Sequence, residues 1–333
     1  MYNEPVKQAF IRKYTASGQT KKLLLHIFSR TQEIEERYHT DFYAMNVKQA
    51  QEAFNCASGV QTNGASAILL ILKAYVRWCT ANGYQTSDAV YDLRFDVYDK
   101  VRSGYVSSPR HLKDTLDEVF KNPDQNEIEY IYRSYFWLGF MGLKVQEAIQ
   151  VTADVLDFTN MHLTFFHDGT TRLIYPESLQ DLRKAVELKE LREPRGKEGV
   201  KKPRADGREI LRGKVSRLTM EESIELTFRP TISRAFKAAM KSVSIAQEGG
   251  GREVSKSFSS KLTFKHAYMS GIFYRAYEKE RMGIPPDFDE IVLAERRNSK
   301  EVSSSQNYTE RKLLNGIIRG MEQDYDNWKS VFG

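Results

Sequence analysis

The sequence predicts a mainly α-helical chain with a small three-stranded β-sheet, arranged as two domains. Three observations carry this expectation. Apolar residues recur at helical spacing from the N-terminus to about residue 81, the period shortens to two between Val155 and Tyr175, and a Gly/Ser/Pro stretch, Ser103-Gly104-Tyr105-Val106-Ser107-Ser108-Pro109, separates two helical segments. A chain of 333 residues, 41% of them hydrophobic, can supply a core for each of two domains. The expected boundaries are 1–102 for a helical domain, 103–111 for a linker and 112–333 for the second domain.

Taken in order, residues 22–37 form a helix, with Leu24, Ile27, Phe28 and Ile34 on its apolar side. A short helix starts at Asn46, whose side chain caps the backbone while Gln49 reaches back. The next runs over 63–81 behind Ile68, Leu72, Tyr75, Val76 and Cys79, and Asn82-Gly83 stops it. Helices over 112–120 and 128–141 follow, the latter aromatic enough (Tyr132, Tyr135, Phe136, Trp137, Phe140) to be buried core. Strands are expected over 155–158, 162–166 and 172–175, with turns at Thr159-Asn160 and Asp168-Gly169. Helices over 177–192, 230–246, 263–280 and 309–331 complete the chain.

Neither a run of eighteen apolar residues nor a signal-type N-terminus is present, so a chain acting in the cytoplasm, away from membranes, is expected. Cys56 and Cys79, the only cysteines, fit a reducing compartment and are expected to pack as small apolar groups. His26, His39, His111 and His162 are scattered, with no Cys/His cluster at metal-ligand spacing and no Walker or dinucleotide loop, so neither metal nor cofactor is implied. The net charge of +6 is concentrated: residues 191–217 hold ten Lys/Arg against four Asp/Glu, an excess as large as that of the whole chain. Its glycines and prolines predict an irregular loop, either solvated or laid against phosphates through residues such as Lys201, Lys202 and Arg204.

Three short motifs carry chemistry. They are Gly142-Leu143-Lys144-Val145-Gln146-Glu147, Leu262-Thr263-Phe264-Lys265-His266 and Asn307-Tyr308-Thr309. Together with the element order they resemble the catalytic boxes of phage-integrase-type tyrosine recombinases, and the resemblance spans nearly the whole chain. It implies a two-domain clamp on duplex DNA, with a helical core-binding domain followed by a catalytic-like domain. In that family two arginines hold the scissile phosphate while a tyrosine attacks it. Here the arginine positions are Lys144 and Lys265, the histidine position of the second box is Leu262, and His167 falls where the sheet-turn lysine belongs, five residues before Arg172. Only Tyr308 is retained. A lysine ammonium is a point charge on a flexible stem and lacks the planar fork that grips two oxygens, so Lys144 and Lys265 can hold a ground-state phosphate but organise a transition state poorly.

The resemblance therefore implies no catalytic residue in working order, with Lys144, His167, Leu262, Lys265 and Tyr308 as vestigial positions. It extends to integrase-fold lysogeny repressors of SPβ-like Bacillus phages, which implies a non-enzymatic, sequence-specific repressor of a bacterial prophage. An active recombinase using Tyr308 is the alternative, and an architectural partner of another recombinase is a third reading. Expected DNA contacts are Lys144, His167, Arg172, Lys265 and His266 around one phosphate. Arg234, Lys237 and Lys241 share a helix face that is either groove-facing or merely solvated, and Thr62 and Asn63 stand at a helix start where capping alone would also explain them. Operator DNA is the expected partner. Self-association through the last helix, which otherwise packs in cis, and a regulatory protein or peptide are further partners to weigh.

Overall fold

The computed structural model describes residues 1–14, 18–58, 62–95, 97–164, 170–194, 200–214, 217–248, 258–297 and 308–333, and gives no side-chain surroundings for residues 19, 62, 63, 243–248, 293–297 and 308–313. In chain order the elements are α1 (Glu4–Tyr14), α2 (Gly18–Tyr38), α3 (Val47–Ala57), α4 (Thr62–Ala81), α5 (Val97–Gly104), α6 (Pro109–Val119), α7 (Ile128–Phe140) and α8 (Val145–Ala148). A sheet of β1 (Leu156–Asp157), β2 (His162–Thr164) and β3 (Thr171–Leu173) follows, then α9 (Leu179–Glu187) and a ribbon of β4 (Glu190–Glu193) and β5 (Val200–Pro203). Last come α10 (Met220–Ser223), a π-helical turn over Ile224–Phe228, α11 (Arg229–Glu248), α12 (Phe264–Arg281), α13 (Phe288–Arg297) and α14 (Tyr308–Phe332). The chain is mainly helical with a three-stranded antiparallel sheet, as the sequence predicts.

The chain packs as two units, Met1–Val101 with Ala294–Asn327, and Arg102–Leu293 with Trp328–Gly333. In the first unit α2 buries Leu24, Ile27, Phe28 and Ile34, the spacing of one helix face, and packs on α3. The expected capping box at Asn46 is present: its side chain accepts from Gln49 N–H at 3.0 Å and Gln49 Oε1 accepts from Asn46 N–H at 3.1 Å. Among the described residues α4 is the helix long and apolar enough to cross a bilayer, yet its Leu72, Tyr75 and Val76 are core, and Tyr75 meets the rings of Phe10 and Phe28 at 5.1 and 5.0 Å. Cys79 is buried with its thiol pushed up to about 12, whereas Cys56 is exposed, contrary to expectation, because it lies on the outer side of α3.

In the second unit α7 is buried along its whole length. Asp181 of α9 ties it down, accepting from Trp137 Nε1 and Arg133 Nε at 2.7 Å each. The sheet pairs Leu156 with Leu163 and Leu163 with Arg172, so that the fully buried Leu163 anchors the middle strand. The turn at Thr159-Asn160 forms on Asp157, whose carboxylate accepts both backbone N–H groups at 2.9 Å. Strand residues 165 and 166 and the turn at Asp168-Gly169 lie outside the described residues.

Several expectations are corrected. The segment 103–111 is not a free linker: it falls in the second unit, with Tyr105, Val106 and Pro109 buried, and Ser108 caps α6. The expected second domain, 112–333, loses Ala294–Asn327 to the first unit. The helix expected over 177–192 stops at Glu187, because Leu191 and Glu193 alternate inward with Glu190 and Arg192 outward, a period-two pattern that pairs with β5. The basic loop is thus in part an ordered β-ribbon. Helices α1, α5, α8, α10 and α13 were not expected.

Candidate nucleic-acid interface

The Gly-Leu-Lys-x-x-Glu segment folds as one local unit. Gly142 has φ +97°, a left-handed conformation that glycine adopts without steric cost, and turns the chain out of α7. Leu143 is buried, and Lys144 N–H donates to the Glu147 carboxylate at 2.7 Å, so the glutamate serves as the N-terminal cap of α8. Lys144 is half-buried at the turn.

Helix α12 crosses the end of α7 through two glycines. At Gly139 a Cβ would meet the Phe264 ring at 3.0 Å, and at Gly271 it would overlap the Phe140 carbonyl. One turn further along the same face is Arg275, whose Nη1 donates to Phe140 O at 2.8 Å. A Cβ at Gly142 would lie 2.8 Å from Arg275 Nη2 and 3.7 Å from Arg172 Nε. The turn is therefore flanked by two half-buried guanidiniums, one from α12 and one from β3. Arg275 does not stand out in the sequence. Its signal is the spacing from Gly271, since residues four apart share a helix face.

Lys265 is exposed in the first turn of α12, ten residues from Arg275, which is about 15 Å along a helix axis. Leu262 is buried, in keeping with its lack of proton chemistry. His266 packs at a tilt against the Tyr105 ring, with centroids 5.2 Å apart, and its Nδ1 lies 3.3 Å from Lys261 O. Burial pushes its imidazole down to about 4, so at neutral pH it offers a phosphate a neutral hydrogen bond and no charge. His167 lies outside the described residues, and so do the side chains of Thr62, Asn63 and Tyr308; Tyr308 opens α14.

On α11, Arg234, Lys237 and Lys241 are exposed, on the side away from the buried Ile232, Phe236 and Ala239. The ribbon residues fare differently. Arg204 is buried, 5% exposed, and donates to the carbonyls of Arg212, Ala185, Leu188 and Ile210, so it holds loops together and does not reach outward; burial lowers its guanidinium to about 10. Lys202 pairs with Glu193 at 3.1 Å, and Lys214 pairs with the same carboxylate. Lys201 sits 3.8 Å from Glu190, with both side chains exposed. Several of these cations are thus held within the fold, while the local excess of positive charge remains, because Glu193 is already counted in it and carbonyls carry no charge. In the first unit the fold assembles a basic group that the sequence does not reveal: Lys73 and Arg77 of α4 both lie over the Tyr91 ring, at 5.7 and 5.8 Å, and Arg77 Nε donates to its hydroxyl at 3.2 Å.

Residues 1–81, the segment that forms α1 to α4, match the family model described as the MrpR N-terminal core-binding domain. No curated protein matches the chain significantly. The match agrees with a recombinase-like helical domain at the N-terminus and is consistent with DNA binding; it does not extend to the second unit. Among the described residues no group of three or more His, Cys, Asp or Glu is placed to hold a metal ion.

Proposed function

We propose that the chain is a sequence-specific DNA-binding transcriptional repressor, controlling lysogeny of a prophage in a bacterial cytoplasm, on a recombinase-like fold without strand-cleavage activity. The core-binding match supports the DNA-binding part. The observation that carries the rest is the second box: Leu262 is core, burial disfavours the charged form of His266, and Lys265 stands where the arginine belongs, so the segment keeps one exposed ammonium and has neither an arginine fork nor an imidazolium. Such a surface holds a phosphate without driving its transfer. A second reading, an active recombinase that uses Tyr308 with Lys144 and Lys265, is favoured by the place of Tyr308 at the start of α14.

One paired experiment separates them. On duplexes tiled from the gene's own genomic neighbourhood, footprinting is expected to find a protected operator, while a suicide substrate traps no covalent species. Tyr308→Phe then leaves affinity almost unchanged, costing at most one hydrogen bond, ~1 kcal/mol. A Tyr308-linked DNA band on a denaturing gel would overturn the repressor reading in favour of the recombinase.

A further inference from the structure

We propose that Arg275 and Arg172 form the seat for a phosphate group at the Gly142 turn, supplying the pair of guanidiniums that Lys144 and Lys265 do not. This rests on the DNA-binding reading above for its natural ligand, a phosphodiester of the backbone. The geometry carries it in three steps. Two guanidiniums from separate elements flank the open side of Gly142: a Cβ there would lie 2.8 Å from Arg275 Nη2 and 3.7 Å from Arg172 Nε, so the glycine leaves room for Arg275 to close on the turn. They donate to carbonyls, Phe140 O at 2.8 Å and Thr171 O at 3.4 Å, whereas the buried Arg133 of the same unit has two carboxylates, Asp117 and Asp181. Two half-buried like charges repel each other, and a shared anion turns that repulsion into attraction.

Phosphate is the anion this arrangement fits. A guanidinium offers several donors in one plane, so Arg275 can keep Phe140 O on Nη1 and still present Nη2 to an oxygen at the turn. Arg172 reaches the same point from β3 through Nε. Lys265, about 15 Å away along α12, belongs to a different contact. Arg275 has no counterpart in the motifs that carry the recombinase resemblance, whereas Gly142 opens the first of them and Arg172 is already an expected phosphate contact.

The test uses the full chain and two readouts. Thermal melting is followed against inorganic phosphate, with chloride at matched ionic strength as the control, and duplex affinity is measured across a salt series. Wild type is expected to be stabilised by phosphate beyond the chloride control. Arg275→Gln and Arg172→Gln each lose that excess, and each lowers the slope of log affinity on log salt by roughly one unit. Arg275→Lys recovers the charge but not the fork, and falls between. Arg172→Gln leaves the bond to Phe140 O intact, so it reports on the anion even if Arg275→Gln melts early. Phosphate excess lost in both Gln variants, in a wild type that ignores duplexes, keeps the seat for free phosphate and removes the DNA reading. Wild-type phosphate response and salt slope in both variants overturn the seat and leave the DNA reading standing. No phosphate excess in wild type, with both variants keeping its duplex affinity and slope, overturns it as well.

Discussion

Lys7 is fully buried beside two carboxylates, at 2.5 Å from Glu35 and 4.0 Å from Asp41, in the core of the first unit. Burial raises both carboxyls above their ordinary 4.5 and 3.8, against the pull of the lysine, while Tyr75 O–H and Phe42 N–H donate to them. A carboxyl raised on folding holds its proton more tightly in the folded state. Its stabilising contribution is complete below the unfolded pKa, near 4, and is lost as pH rises through the folded value. Removing the lysine leaves the charges unpaired at neutral pH, so Lys7→Met should cost about 3–5 kcal/mol at pH 7 and less at an acidic pH, as the carboxyls take up protons. Urea midpoints at the two pH values measure this; an equal loss at both would mean that the pair does not titrate in this window.

Close helix packing places Arg275. Because a Cβ on Gly271 would overlap the Phe140 carbonyl, Gly271→Ala must push α12 off α7, at a cost of about 1–3 kcal/mol, visible as a lower denaturant midpoint. The phosphate response of Arg275 should weaken in the same variant, since the two residues share a face; an unchanged midpoint would show that the crossing is looser than this. The exposed face of α11 and the β4–β5 ribbon make a contrast at the same scale. Lys237→Ala should erode discrimination between operator and unrelated DNA, if that face enters a groove, while Lys202→Ala, already paired with Glu193, should leave both affinity and salt slope alone. Competition binding with both duplexes tests both statements.

For the whole chain, phosphate contacts position a protein on a duplex without reading bases. Replacing Lys144 or Lys265 by Ala is therefore expected to weaken binding equally on operator and unrelated DNA, with the salt slope lower by roughly one unit for each. Wild-type slopes in both variants would remove these lysines from the interface.

Local chemistry was legible directly. The spacing of Leu24, Ile27 and Phe28, the Asn46/Gln49 cap, the buried aromatics of α7 and the Asp157-based turn depend on residues within a few positions of one another, and short-range interactions settle them. The Gly142–Glu147 unit was readable for the same reason. Charge state and partnership were not. Arg204 and Lys201 look alike as neighbours in a basic run, yet one is buried under four carbonyls and the other exposed, and His266 loses its charge to burial against Tyr105. Arg275 and Arg172, far apart in the chain, meet at one glycine because α12 crosses α7 beside β3. What a cation can bind depends on its solvation and on which distant elements face it, and those follow from packing.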